Sequence, residues 1–133
     1  MTRPAVVDAS LVVDSILPLR GRESGLAAMM GRELWSPGIL DAEVGSALAR
    51  LERRGMLTAD EASTAIDLLV TMPIERIAPE DLLAAAWPLR HGVRVADAFY
   101  VAAALAVEGD VLTRDGRLAR APGLPVPVTV IPR

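Results

Sequence analysis

Short apolar runs alternate with amphipathic helical segments along the 133 residues of this chain. The apolar or alternating runs at residues 5–7, 73–77, 111–113 and 126–131 are predicted to be strands, and the segments between them carry helical spacing. Strands that are separated by helices pair in parallel, because a parallel connection must cross over the sheet. The pattern therefore predicts an α/β fold with a mostly parallel sheet flanked by helices on both faces.

Local signals place several helix ends. Ser10 is predicted to cap the first helix, and residues 22–34 are predicted to form a second helix that stops before a break with at most a minimal strand. Thr58 and Glu61 have the spacing of a capping box and open another helix.

Length and hydropathy predict one globular domain spanning residues 1–133. Hydrophobic residues make up 52% of the chain, which is enough to form a core. No apolar run reaches the roughly 18 residues of a membrane span, and the first residues lack the pattern of a signal peptide. We therefore expect no membrane association and a cytoplasmic location.

Missing residue types exclude several chemistries. The chain has no cysteine, all 14 basic residues are arginine, and His91 is the single histidine. Disulfides, cysteine zinc sites, phosphate-loop lysines and ribonuclease mechanisms that use two imidazoles are therefore excluded. Carboxylates, hydroxyls and guanidinium groups remain for catalysis.

Four acidic residues occur where an α/β sheet places its functional groups, just beyond the carboxyl ends of strands. Asp8 and Asp115 each follow a predicted strand, and Glu43 and Asp97 each lie in the first turn of a helix. Each acid alone has a structural explanation as a cap, a turn residue or a solvated helix acid. Together they indicate one acidic site, because a carboxylate that interrupts an apolar run is costly to bury without a partner.

An all-carboxylate site selects a hard cation, Mg²⁺ or Mn²⁺, rather than zinc. Such a site can clamp a phosphodiester and lower the pKa of a bound water for in-line hydrolysis. The net charge of −3 does not argue against nucleic acid, since four acids in the site leave 13 acids against 14 arginines elsewhere, or +1.

The acidic segments resemble the four motifs of PIN-domain ribonucleases, and more narrowly of VapC-type toxins from toxin–antitoxin operons. The matching stretches are Val-Val-Asp-Ala-Ser at residues 6–10, Glu-Val-Gly-Ser-Ala-Leu at 43–48, Ala-Asp-Ala-Phe-Tyr-Val at 96–101 and Leu-Thr-Arg-Asp-Gly-Arg-Leu at 112–118.

The resemblance implies a five-stranded parallel sheet, a Mg²⁺ site, endoribonuclease activity, a homodimer and an antitoxin that blocks the site. It assigns Asp8, Glu43, Asp97 and Asp115 as the catalytic and metal-binding acids, with Ser10 and Thr113 supporting them through hydrogen bonds.

Other residues are assigned with the site. Arg114 and Arg117 flank Asp115 and are candidate phosphate contacts, and Asp14 is either a solvated helix acid or an outer ligand. The region of Met29, Met30 and Trp35 is predicted to face the antitoxin, since methionine and aromatic residues suit adaptable interfaces. An antitoxin arginine could bind the acids bidentately.

The alternative from another class is a catalytically silent PIN-like module that binds RNA or a protein partner. A receiver domain would need a lysine, which the chain lacks, and a haloacid-dehalogenase-type phosphatase would need an aspartate at the position of Ser10.

Overall fold

Strands and helices alternate in the computed structural model, which describes residues 2–133. Within those residues the strands are β1 (Arg3–Val7), β2 (Arg32–Pro37), β3 (Ile74–Ile77), β4 (Asp110–Thr113) and β5 (Val128–Val130). The α helices are α1 (Ala9–Ile16), α2 (Arg22–Met29), α3 (Leu40–Arg53), α4 (Ala59–Thr71), α5 (Pro79–Ala86), α6 (Val95–Val107) and α7 (Gly116–Arg120), and a 3-10 helix covers Trp87–His91.

The strands form one sheet in the order β3-β2-β1-β4-β5, and every neighbouring pair is parallel. β1 is central, and its consecutive residues Ala5, Val6 and Val7 are completely buried. Because successive side chains of a strand point to opposite faces, both faces of the sheet must be covered. The predicted α/β fold with a parallel five-stranded sheet is confirmed.

The predicted helix over residues 22–34 is wrong in its second half. α2 ends at Met29, and the chain then turns through Gly31, whose φ of 73° lies in the left-handed region. Leu34 is instead buried in β2, between β1 and β3. The apolar spacing of this segment fits a helix, but glycine allows the turn and pairing on both sides of β2 outweighs local periodicity.

The start of α4 follows the predicted capping box. The Glu61 backbone N–H donates to Thr58 Oγ1 at 3.1 Å, and the Thr58 backbone N–H donates to Glu61 Oε1 at 2.9 Å. The helices are short, and within residues 2–133 none is long and apolar enough to cross a membrane.

The sheet order places the ends of β1 and β4 side by side. The Asp8 backbone N–H donates to the Leu112 carbonyl at 3.2 Å, which joins the chain just beyond β1 to β4. Residues that follow these two strands therefore meet at one edge of the sheet.

Candidate active site

The four predicted acids line one cavity at the carboxyl edge of the sheet. This acidic cavity has a volume of about 580 Å³. Asp8 and Asp115 reach it from the ends of β1 and β4, while Glu43 and Asp97 reach it from the first turns of α3 and α6. Its other charged residues are Asp14, Arg50, Arg94 and Arg133.

Asp8 is the buried member of the group. Its Oδ1 accepts hydrogen bonds from Ser10 Oγ at 2.8 Å and from the Leu11 backbone N–H at 3.1 Å, and its Oδ2 accepts one from Thr113 Oγ1. Asp8 is thus the N-cap of α1, and the prediction that Ser10 caps this helix is wrong. Ser10 lies inside α1, and its hydroxyl donates to the Asp8 carboxylate instead of capping the helix.

Burial raises the pKa of Asp8 above its ordinary value, although hydrogen bonds from Thr113, Leu11 and Ser10 act in the opposite direction. The negative charge of Asp97 raises it further. A buried carboxylate that is destabilised in its charged form is stabilised by a nearby cation. The hydrogen bonds to Asp8 therefore offset the cost of burying its charge only in part.

Glu43 is held by a residue that the sequence reasoning missed. The buried Tyr100 hydroxyl donates to Glu43 Oε1 at 2.5 Å. Burial, followed by the hydrogen bond to Glu43 and then by the charge of Glu43, moves the pKa of Tyr100 far above its ordinary value, so Tyr100 stays a donor. Its position three residues after Asp97 was an available signal, since residues at this spacing share a helix face.

Asp97 is engaged by a second missed residue, Arg94. Arg94 Nε donates to Asp97 Oδ2 at 3.1 Å, and Arg94 Nη2 donates to Asp97 Oδ1 at 3.2 Å. The hydrogen bonds to Asp97 raise the pKa of Arg94, and the charges of Asp97, Glu43 and Asp115 raise it further, which places the guanidinium in the field of the acidic group.

Asp115 caps α7 by accepting from the Arg117 backbone N–H at 2.9 Å. Burial alone would raise the pKa of Asp115, but the Arg117 N–H and the charges of Arg117 and Arg94 hold it below its ordinary value. The predicted turn role and the predicted site role therefore coexist in this residue.

The fold and the acidic cavity have counterparts among known proteins. The family model of the PIN domain matches residues 5–124, a range that contains all four acids. The chain belongs to the PIN domain family.

Relatives of this PIN domain include two ribonucleases of Mycobacterium tuberculosis. Over 117 residues it is 41% identical to ribonuclease VapC3, covering 87% of this chain and 85% of the relative. Over 129 residues it is 37% identical to ribonuclease VapC1, covering 95% and 96%. The PIN domain therefore groups with VapC proteins.

A solved structure also shares the fold. The crystal structure of VapBC2 from Rickettsia felis, bound to a DNA fragment from their promoter, superposes with a TM-score of 0.72. The match covers 97% of this chain and 99% of the other at 12% identity, so it bears on the fold alone.

In this PIN domain each acid already has an internal partner. No three acidic or histidine side chains within residues 2–133 lie close enough together to hold a metal ion. Arg94, Tyr100 and Arg117 thus supply donors to Asp97, Glu43 and Asp115, respectively. The chemistry of the donor set nevertheless fits a hard cation, since all four groups are carboxylates that line one cavity and Asp8 keeps one of its four lone-pair positions free.

The prediction that Arg114 contacts substrate is wrong, because its side chain is only 4% exposed. It donates to the carbonyls of Ile131 at 2.6 Å and Gly21 at 2.5 Å, and to Ser24 Oγ at 3.1 Å. Its Nε lies 2.9 Å from Asp14 Oδ2 without the alignment of a hydrogen bond, so this contact is an ion pair. Arg114 thus ties the loop before α2 to the segment after β5.

Two further assignments are refined by the structure. Asp14 lines the cavity but is paired with Arg114 and Arg133, so it is neither a solvated acid nor a free ligand. Arg117 is 83% exposed beside Asp115, and its guanidinium is accessible at the rim.

Proposed function

We propose that this PIN domain is a metal-dependent endoribonuclease that acts as the toxin of a toxin–antitoxin pair. The observation that carries the proposal is the convergence of Asp8, Glu43, Asp97 and Asp115, from four separate elements, on one cavity. The ribonuclease names of relatives at 37–41% identity support RNA as the substrate.

Asp8, Glu43, Asp97 and Asp115 would hold Mg²⁺, with Mn²⁺ as a substitute, because hard cations prefer carboxylate oxygens. The bound cation would neutralise charge on the phosphodiester and make water a stronger nucleophile near neutral pH.

The chain's own groups orient the site. Ser10 and Thr113 fix the carboxylate of Asp8, and Tyr100 fixes that of Glu43. His91 lies on the 3-10 helix outside the cavity, so the only imidazole is not placed to act as an acid or base there. Water is therefore the nucleophile that we propose, and the ribose 2′-hydroxyl takes no part.

This choice of nucleophile has a direct test. An oligonucleotide with a 2′-deoxyribose at the scissile position should still be cleaved, and its products should lack a 2′,3′-cyclic phosphate. Mass spectrometry of the products distinguishes the two routes. A cyclic product would count against hydrolysis by water.

The antitoxin partner is proposed from family resemblance together with exposed apolar side chains. Met30 is 81% exposed just after α2, whereas Met29 is buried in the core and cannot face a partner as predicted. Trp35 is partly buried, and its indole N–H donates to Glu33 at 2.8 Å. The antitoxin contact that we propose is therefore restricted to Met30 and the end of α2 that precedes it. A homodimer and a cytoplasmic location remain predictions.

The internal pairing of every acid favours one alternative, a silent module that binds RNA or a protein without cleaving it. A cleavage assay on total RNA from the native host, with Mg²⁺ and with EDTA, decides between them. The proposed function requires cleavage that EDTA and Asp8→Asn both abolish. Absence of cleavage by the wild type with Mg²⁺ supports the alternative, and cleavage that survives both changes contradicts the metal-dependent mechanism.

A further inference from the structure

We infer that Arg94 is an exchangeable counter-ion that holds Asp97 in the metal-free protein and binds an RNA phosphate once a cation has taken Asp97. This inference rests on the proposed function, since it assigns a further residue to the same site.

The first observation is that Arg94 occupies both carboxylate oxygens of Asp97. The Asp97 carboxylate keeps lone pairs free beside the guanidinium fork, but the positive charge of Arg94 opposes a cation on the same carboxylate. Arginine does not lose its proton in proteins, so this repulsion cannot be relieved by neutralising Arg94. Binding of a cation to Asp97 therefore favours departure of the guanidinium.

The second observation is that Arg94 can move at little cost. Its side chain is 73% exposed, whereas that of Asp97 is 17% exposed. Ion pairs with such exposure contribute little to stability because water competes for both groups. Arg94 is thus the mobile half of the pair, and Asp97 is the fixed half.

The third observation is the position of Arg94 between two concave surfaces. It lines the acidic cavity and also a neighbouring cleft of about 190 Å³ that contains Asp115 and Arg117. A guanidinium released from Asp97 therefore stays at the mouth of the site, beside the exposed Arg117.

A polyanion is the ligand that this position suits. A guanidinium matches the oxygens of a phosphodiester bidentately, as it matches a carboxylate. Arg94 would thus exchange one bidentate partner for another of the same charge, and metal and RNA binding would favour each other. Both ligands must be present for the exchange to be complete.

The test compares Arg94→Ala with Arg90→Ala. Arg90 carries the same charge four residues earlier, stacks on Trp87 at 4.4 Å from its ring centre and does not line the cavity. In calorimetric titrations with Mn²⁺ alone, Arg94→Ala should bind the metal at least about fivefold more tightly than the wild type, because a competing charge is gone. Arg90→Ala should match the wild type.

RNA binding supplies the second readout, with a labelled mixed-sequence single-stranded RNA and Ca²⁺ as the divalent cation. Arg94→Ala should lower the slope of log affinity against log salt by about 0.7, the value for one phosphate contact on a single strand. Without a divalent cation the slope should be unchanged, because Arg94 then remains on Asp97.

These outcomes separate the inference from the proposed function. If Asp97→Asn and Asp8→Asn leave Mn²⁺ affinity unchanged, the metal site itself is absent and both proposals fail. If Asp97→Asn weakens Mn²⁺ binding but Arg94→Ala behaves like Arg90→Ala, the role of Arg94 is refuted and the nuclease proposal stands.

Discussion

Two arginine–aspartate pairs border the acidic cavity and have opposite environments. Arg114 pairs with Asp14 and is 4% exposed, while Arg94 pairs with Asp97 and is 73% exposed. Both pairs join the same chemical groups at about 3 Å. The difference teaches that burial, rather than residue type, decides whether a charge pair maintains the fold or remains available for ligand exchange.

The environments predict different consequences of breaking each pair. Removing the buried Arg114 guanidinium leaves two carbonyls without partners and weakens the pairing of Asp14. Removing the exposed Arg94 guanidinium leaves a carboxylate that water can solvate. Substitution of Arg114 should therefore change mainly stability, and substitution in the Arg94–Asp97 pair should change mainly activity.

The largest expected effect is on cleavage, from changes to two of the acids that line the cavity. Asp97→Asn and Asp8→Asn should each lower the rate by more than the roughly 100-fold that accompanies loss of a group supporting a metal ligand. In EDTA, Asp8→Asn should be at least as stable as the wild type. Burial disfavours the negative charge of Asp8, as its raised pKa indicates, and asparagine carries no charge. Single-turnover rates and thermal melts measure the two quantities, and a large loss of stability in both variants would contradict this assignment.

The next effect is on stability, from the buried pair of Arg114 and Asp14. Arg114→Ala should lower the free energy of unfolding by about 3 kcal/mol, the lower end for a broken buried pair because Arg133 still faces Asp14. Arg94→Ala is the matched control and should cost less than about 1 kcal/mol. Urea titrations of both variants without metal check this prediction, and equal losses would remove the distinction between the pairs.

Tyr100→Phe tests a buried contact that serves the site rather than the fold. Removing the hydroxyl frees Glu43 and should weaken Mn²⁺ affinity by about 10-fold, as for other groups that orient a metal ligand. The aromatic ring remains in the core, so the melting temperature without metal should change little. Unchanged metal affinity would show that the hydroxyl has no positioning role.

The smallest effect is expected at an intermediate pair, Arg76 and Asp41, whose side chains are 27% and 52% exposed. The hydrogen bond from Arg76 holds the pKa of Asp41 below its ordinary value. A depressed carboxyl pKa contributes stability that is present above the unfolded-state value near 3.8 and is lost as the pH falls through the folded-state value. Asp41→Asn should therefore lower stability by about 0.5 kcal/mol at pH 7 and by nothing at strongly acidic pH. Urea titrations at the two pH values measure this difference.

The sequence predicts the alternation of strands and helices well, because buried strands and capped helices leave local signals. The sequence-based prediction fails where the same residues fit both a helix and a strand. Leu34 is an example, because pairing with β1 and β3 makes its segment extended. The four acids are recognisable because each follows a strand or opens a helix. Tyr100 is not recognised, because its role depends on a contact from α6 to Glu43 on α3. Arg94 is missed although it lies three residues before Asp97 at the start of the same helix, a spacing at which side chains meet. Arg114 is misassigned because its neighbour Asp115 is at the rim while its own side chain turns inward.

Asp8 and Thr113 bond to each other across 105 positions of the chain, at the junction of β1 and β4. During synthesis β1 leaves the ribosome early, but its partner β4 follows only after most of the chain has been made. At translation rates of about 5 to 20 residues per second, the gap lasts roughly 5 to 20 s. Throughout that interval Asp8 lacks its hydrogen bond from Thr113, and Asp115 has not yet been made. The acidic cavity is therefore completed late in synthesis, and it exists only once β4 and the residues that follow it have emerged.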